Sequence, residues 1–132
     1  AHGALAIELE VQLESRAMRD AGLPPMVLSR GPARNMYWTI AQIVTHHASN
    51  GCNLGVGDLL GTGTISAPDR SGYGSLLEIS RGGAEPIALP TGETRAFLAD
   101  GDAVTMFGRA HAVGYVSIGF GKCVAAILPA RP

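Results

Sequence analysis

The first residues of the chain alternate between apolar and polar side chains. Apolar residues occupy every second position, namely Leu5, Ile7, Leu9, Val11 and Leu13. A period of two predicts an antiparallel β-strand with one buried face. Glu8, Glu10 and Glu14 fall on the opposite face, so we expect solvated carboxylates there rather than a metal site.

The pattern changes to helical spacing after Asn35. The positions that would form one, mostly apolar, face of a helix are Met36, Ile40, Ile43, Val44 and His47. With Asn35 as an N-cap and Asn50-Gly51 as a stop signal, they predict a helix from about Met36 to Ser49. Adjacent His46 and His47 point in different directions and cannot clamp one ion. His47 is expected to be a hydrogen-bonded core residue.

A glycine-rich stretch, residues 57–66, follows this helix. We predict strands over Asp58–Ser66 and Ser75–Ser80. Thr64, between Gly63 and Ile65, is a candidate hydroxyl for a ligand, although the pattern alone favours a plain glycine-punctuated strand with a hairpin turn. In an extended segment Glu78 would have an apolar neighbour on its own face, and a partly buried carboxylate needs a donor or a metal as partner.

The remaining periodic segments also predict strands. A short strand is expected at Met26–Leu28, another at Pro86–Leu89 and a long one over Tyr115–Leu128. Thr94–Leu98 and Val104–Gly108 flank an Asp-Gly turn and predict a hairpin. Asp100 and Asp102 in that turn lack the other ligands of a calcium loop, so we interpret them as turn residues.

The composition of the chain is typical of a soluble, β-rich protein. The chain has 132 residues, which suits one domain, and 18 glycines, which favour many turns. Hydrophobic residues make up 46% and charged residues 16%. The charged fraction lies below the usual level of about 25%, so part of the surface is expected to contact a partner.

Charge and cysteine content narrow the class further. The net charge is −1 without basic clusters, which argues against binding nucleic acid or an anionic membrane. No apolar run approaches the ~20 residues needed to span a bilayer. Cys52 and Cys123 have no metal-ligand spacing and are expected to be free, buried thiols in a reducing cytoplasm. Lacking an initiator methionine, the chain is expected to be part of a longer protein.

Known catalytic motifs do not occur in the chain: it has no nucleophile elbow, phosphate loop, CxxC pair or HExxH. A hydroxyl on a glycine-rich segment and a partly buried glutamate nearby remain. A glutamate can orient a histidine and stabilise its imidazolium, which makes that histidine a better general base. These residues alone predict a β-rich domain carrying part of a site.

A series of motifs resembles the C-terminal part of the fumarylacetoacetase family. The motifs, in chain order, are Met36-Tyr-Trp-Thr39, Thr45-His-His47, Ser49-Asn-Gly-Cys-Asn-Leu54, Gly57-Asp-Leu-Leu60, Gly63-Thr-Ile-Ser66, Gly74-Ser-Leu-Leu-Glu78, Asp100-Gly-Asp102 and Gly119-Phe-Gly121 with Cys123. More distant relatives, such as acylpyruvate hydrolases, typically have a different turn in place of Gly63-Thr-Ile-Ser66.

The resemblance implies a metal-dependent hydrolase that cuts a carbon–carbon bond of a diketo acid, yielding fumarate and acetoacetate in the last step of tyrosine and phenylalanine breakdown. It implies that Thr64 binds substrate and that Glu78 orients the catalytic histidine. It further implies a cytoplasmic homodimer and a divalent metal, Ca²⁺ and/or Mg²⁺, whose ligands lie upstream of this chain together with the base histidine and the oxyanion residues. No metal ligand is therefore assigned here, and we expect the isolated chain to be inactive.

Small departures from the family pattern occur at Ala67, at Gly55-Val56 and at Ala112-Val113. They affect the expected substrate preference but not the family. A related diketo-acid hydrolase and a non-catalytic β dimerisation module stay open as alternatives. The predicted fold is mainly β, a mixed β-sandwich or roll of the fumarylacetoacetase C-terminal type, with residues 1–132 as a single domain and one substantial helix at about Met36–Ser49.

Overall fold

A computed structural model describes residues 5–131 of the chain. The helices in this range are α1 (Arg16–Asp20), α2 (Ile40–Ser49) and α3 (Leu76–Ile79). The strands are β1 (Ile7–Glu14), β2 (Met26–Pro32), β3 (Ile87–Ala88), β4 (Thr94–Arg95), β5 (Ala103–Ala110) and β6 (Ile118–Ala126). Short 3-10 turns occupy Ala33–Asn35 and Arg70–Gly72. The prediction of a mainly β fold is confirmed.

The larger antiparallel sheet has the order β2-β1-β5-β6 within the described residues. The alternating N-terminal segment forms β1, as predicted, in the interior of this sheet. Its pairing with β5 runs without a break from Ile7 opposite Ala110 to Glu14 opposite Ala103. Its pairing with β2 contains an irregularity between Val11 and Gln12. The apolar face of β1 thereby supports the segments that cross it.

The predicted strands around the glycine-rich stretch are wrong. Residues 58–66 form an irregular loop, and residues 76–79 form the short helix α3. Ser75 begins this helix because its hydroxyl accepts a hydrogen bond from the Glu78 N–H at 3.3 Å. The predicted hairpin is also wrong, since β4 pairs with β3 and β5 pairs with β1 and β6. The turn at Asp100-Gly101 is present.

Helix α2 starts later than predicted. Asn35 ends a 3-10 turn and Met36 has an extended backbone, so Met36 lies outside the helix although its spacing matches the apolar face. Thr39 is the N-cap, because it exchanges capping hydrogen bonds with Gln42. No residue of α2 is fully buried, and His47 is half-buried rather than part of a core.

The buried core is small for the length of the chain. Leu13, Met18 and Leu89 form its centre, with partly buried apolar side chains around them. The accessible surface is 9348 Å², whereas a folded monomer of this mass should expose about 6,600 Å². Both faces of β6 are exposed, and Phe120 and Val124 on it remain 65% and 60% accessible. Apolar surface is therefore left for contact with other protein, as the low charged fraction indicates.

The cysteines are free, as predicted, but their predicted burial is wrong: Cys52 and Cys123 are both exposed. Glu10, one of the glutamates on the outer face of β1, forms an ion pair with Arg30 of the neighbouring strand β2. Among residues 5–131, no helix is both long and apolar enough to cross a bilayer.

A buried ion pair organises the turn before β5. Asp102 is fully buried, and its carboxylate accepts two hydrogen bonds from Arg95, at 2.8 Å from Nε and 3.0 Å from Nη2. The Ala99 N–H donates to the same carboxylate at 2.9 Å. Arg95 Nη2 also donates to Glu93, so one guanidinium joins the small sheet to the start of β5.

Replacing Asp102 by alanine should leave the Arg95 guanidinium buried without its main partner. We expect a loss of about 3–5 kcal/mol in the free energy of unfolding, measured by urea denaturation. Asp20→Ala, which removes an exposed ion pair with Arg16, is the matched control and should change stability by no more than about 0.5 kcal/mol. Equal effects of the two changes would contradict a structural role for the buried pair.

The hydrogen bonds of Glu93 predict that the free energy of unfolding decreases at acid pH. Hydrogen bonds from Ser15, Thr91 and Arg95 lower the pKa of Glu93 from 4.5 to about 2. Because the folded-state pKa is depressed, this contribution is complete above pH 4.5 and is lost as the pH falls toward 2. We expect the urea midpoint to fall over this window by a larger amount in the wild type than in Glu93→Gln. Parallel pH curves for the two proteins would refute this assignment.

Candidate active site

The candidate site lies where the loop after the glycine-rich stretch crosses β1 and β2. Its segments are residues 63–67 and 72–78, which run past each other over the strands. The Ala67 N–H donates to the Gly72 carbonyl oxygen at 2.8 Å and closes the loop between them. The Ala67 Cβ lies 3.8 Å from the β-carbon position of Gly31 in β2, so this loop rests directly on the sheet.

The Glu78 carboxylate is held by two serine hydroxyls. Ser66 Oγ lies 2.8 Å from each of its oxygens, and Ser75 Oγ donates to Oε2 at 2.9 Å. The Gly74 N–H in turn donates to Ser66 Oγ at 3.1 Å. Glu78 is half-buried, as the sequence predicted, and its partners are hydroxyl donors.

These hydrogen bonds keep Glu78 ionised. The Ser66 hydroxyl, followed by that of Ser75, lowers the pKa of Glu78 below its ordinary value, because both stabilise the charged form. Partial burial acts in the opposite direction but does not prevail. A carboxylate offers about four acceptor positions, so Glu78 can still accept a further N–H from outside this group.

Thr64 lies directly beside Gly74. Its side chain is exposed and borders a cleft of about 190 Å³, lined also by Leu9 and Val11 of β1. A β-carbon on Gly74 would lie 2.6 Å from Thr64 Cγ2 and closer still to the Ile65 carbonyl oxygen. Gly74 therefore allows the threonine segment to approach the start of α3.

A larger cleft of about 450 Å³ also includes Thr64. Tyr37 and Trp38 line it, and their rings meet edge to face at 4.9 Å between centroids. Ser66 lies at the same cleft, so the threonine and the serine that holds Glu78 border one space. The cleft thus offers the hydroxyls of Thr64 and Ser66 beside an apolar wall, and Ser66 links it to the Glu78 carboxylate.

Sequence reasoning singled out Thr64 and Glu78 but missed Ser66 and Ser75. A signal for Ser75 was present, since Ser-x-x-Glu is the pattern of a helix N-terminus. The apolar residues of the same segment also suit a strand, which is the element that their periodicity predicts. Ser66 gave no comparable signal, because its partner lies twelve residues away and only the folded loop brings the two together.

None of the described histidines, His46, His47 and His111, forms a hydrogen bond with the Glu78 carboxylate. His46 and His47 are on α2, and His111 Nδ1 is 3.0 Å from Ser117 Oγ. Within residues 5–131, no cluster of three or more His, Cys, Asp or Glu side chains could hold a metal ion. The described part of the chain therefore does not by itself fit a metal centre.

A carboxylate that stays ionised can accept an N–H and thereby orient a basic group. Residues 8–127 match the model of the fumarylacetoacetate (FAA) hydrolase C-terminal domain. The chain therefore belongs to the fumarylacetoacetate hydrolase family.

Curated relatives agree with this assignment. The chain is 47% identical over 126 residues to the fumarylacetoacetase of Arabidopsis thaliana and 46% identical over 124 residues to that of Homo sapiens. These alignments cover 96% and 94% of the chain. With the fumarylacetoacetase of Caenorhabditis elegans the identity is 50% over 97 residues, covering 74% of the chain and 23% of that relative. The chain spans 28% of the length of the plant and human relatives.

The close approach at Gly74 can be tested by substitution. Gly74→Ala would force a methyl group against the Thr64 side chain and the Ile65 carbonyl, so we expect the free energy of unfolding to fall by about 1–3 kcal/mol. Gly61→Ala in the same loop is the control, because nothing lies within 4 Å of its β-carbon position. Urea denaturation of both variants is the measurement, and an undisturbed Gly74→Ala would contradict the close contact.

Proposed function

We propose that the chain is the C-terminal part of the catalytic domain of a fumarylacetoacetase. The intact enzyme would hydrolyse the carbon–carbon bond of 4-fumarylacetoacetate to fumarate and acetoacetate, in tyrosine and phenylalanine degradation. The observation that carries the proposal is the Glu78 carboxylate, held by Ser75 and by Ser66, which lines the same cleft as Thr64. The names of the matching relatives support the choice of substrate.

In this proposal Glu78 acts on a histidine supplied by another part of the protein. Its free acceptor position would receive the imidazole N–H, fix the ring tautomer and stabilise the imidazolium formed when the ring takes a proton from water. A carboxylate that stays ionised is required for this task, and its lowered pKa supports it. Glu78 is therefore proposed as a catalytic residue of the assembled site.

Thr64 would bind the substrate. Its hydroxyl can donate to a carboxylate or carbonyl oxygen of a diketo acid and can accept from a neighbouring donor. Exposure of Thr64 at the edge of two clefts supports this role. The apolar wall formed by Tyr37 and Trp38 would exclude water from one side of the bound ligand.

The proposal assigns the divalent metal, Ca²⁺ and/or Mg²⁺, to residues outside this chain. When bound, such an ion would supply Lewis-acid chemistry to the assembled site. The described residues contribute no ligand cluster to it. The chemistry that belongs to this chain is positioning and hydrogen bonding by Thr64 and Glu78.

We also propose a homodimeric, cytoplasmic enzyme that contacts neither nucleic acid nor membrane. The exposed apolar side chains of β6 support a protein–protein contact, since surfaces with few charges are suited to interface cores. Such a surface also favours the alternative of a dimerisation module without catalytic residues. The two alternatives differ in what happens when Glu78 is changed.

The decisive experiment uses the full-length protein that contains this chain, assayed with fumarylacetoacetate. If Glu78 orients the base, Glu78→Gln should lower kcat by about 100-fold or more, while Thr64→Ala should weaken substrate binding. The isolated 132-residue chain should show no turnover in the same assay, because the base is elsewhere.

Sedimentation of the variants provides the control. An active-site role leaves the sedimentation coefficient of the dimer unchanged while turnover is lost. Full activity of Glu78→Gln would reject the catalytic assignment in favour of the dimerisation module. Turnover by the isolated chain would show that the missing residues are not needed. Faster turnover of an acylpyruvate than of fumarylacetoacetate would favour the related diketo-acid hydrolase.

A further inference from the structure

We propose that Ser66 is a positioning residue for catalysis, which holds the Glu78 carboxylate in place for the group that it must orient. This inference rests on the proposed function of Glu78 and adds a residue to it. Ser66 does not need to touch the substrate for this role. It acts through the carboxylate.

The direction of the Ser66 hydroxyl proton follows from its two kinds of contact. The Gly74 N–H donates to Ser66 Oγ, which occupies one lone pair of the oxygen. The hydroxyl carries a single proton. That proton therefore points toward the carboxylate, whose two oxygens are both 2.8 Å from Oγ.

A hydroxyl equidistant from both carboxylate oxygens holds the end of the carboxyl group in place, and a donor to one oxygen alone is needed to set its rotation. Ser75 adds a second donor on Oε2, at 2.9 Å. Because Ser75 donates to Oε2 alone, it sets the rotation of the carboxyl group. A carboxylate offers about four acceptor positions, so the group held in this way can still accept an additional N–H.

The backbone makes this arrangement specific. Ser75 precedes α3 by one residue and Glu78 lies in its first turn, so the helix N-terminus sets the carboxyl position along the chain. Ser66 reaches the same carboxylate from a different segment, anchored by Gly74. Ser66 and Glu78 are both half-buried, and partial exclusion of water strengthens a charge-assisted hydrogen bond.

Ser66 could instead serve only to close the loop through the Gly74 N–H. The two roles predict different behaviour in a double-mutant cycle with Glu78. If Ser66 acts through the carboxylate, its removal matters only while that carboxylate is present. If it merely closes the loop, its removal costs the same in either background.

The experiment measures kcat and KM of the full-length protein for fumarylacetoacetate in Ser66→Ala, Glu78→Gln and the double variant. We expect Ser66→Ala to lower kcat on the order of 10-fold to 100-fold with KM changed less than about threefold. In the Glu78→Gln background, Ser66→Ala should lower kcat further by less than about twofold.

Ser71→Ala is the matched control. Ser71 also donates to a carboxylate, that of Asp69, but it is exposed on the loop between Ser66 and Gly74 and should leave kcat unchanged. Should Ser66→Ala fold poorly, Ser66→Cys preserves the side-chain size with a much weaker donor, and it should still reduce kcat by about tenfold.

Two results would overturn the inference while leaving the proposed function intact. The first is unchanged kcat in Ser66→Ala or Ser66→Cys together with an inactive Glu78→Gln. The second is an equal effect of Ser66→Ala in both backgrounds. Full activity of Glu78→Gln would instead remove the proposed function itself, and Ser66 would then have nothing to position.

Discussion

The hydrogen bond from the Gly74 N–H to Ser66 Oγ is the contact on which the candidate site depends. It joins two segments that cross over β1 and β2, and it requires a residue without a β-carbon at position 74 because of the Thr64 and Ile65 atoms beside it. The direction of the serine hydroxyl follows from this contact, and the hydroxyls of Ser66 and Ser75 in turn lower the pKa of Glu78. The same contact sets the approach of Thr64 to the start of α3.

A second constraint is the small amount of buried apolar surface. The core around Leu13, Met18 and Leu89 supports the strands nearest the site, whereas β6 and α2 expose apolar side chains. A chain that spans 28% of its plant and human relatives would leave such surfaces for the remainder of the protein or for a second copy. The division of the proposed active site fits the same physical picture, since the group that Glu78 would orient comes from other residues.

Local periodicity predicted the elements that depend on a single strand or helix. The alternation before Leu13 produced β1, and the helical spacing around Ile43 produced α2. It failed where a capping interaction competes with an apolar pattern. Thr39 and Gln42 start α2 later than the apolar stripe indicates, and Ser75 turns the segment with Glu78 into a helix although its apolar residues also suit a strand. Asp102 can be buried because it pairs with Arg95, seven residues away. The Asp-Gly-Asp pattern of the turn does not indicate this burial.

The sequence alone determined the family, the mainly β class and the candidate pair Thr64 and Glu78, because these depend on residue identity and on short-range pattern. The tertiary structure decided which groups hold the pair in place. Ser66 reaches Glu78 only when the loop folds back over β2, and the partners of a carboxylate are set by distances in space rather than by spacing along the chain. Long-range contacts of this kind leave no periodic signal, which is why the hydrogen bond of Ser66 to Glu78 is apparent only in the folded chain.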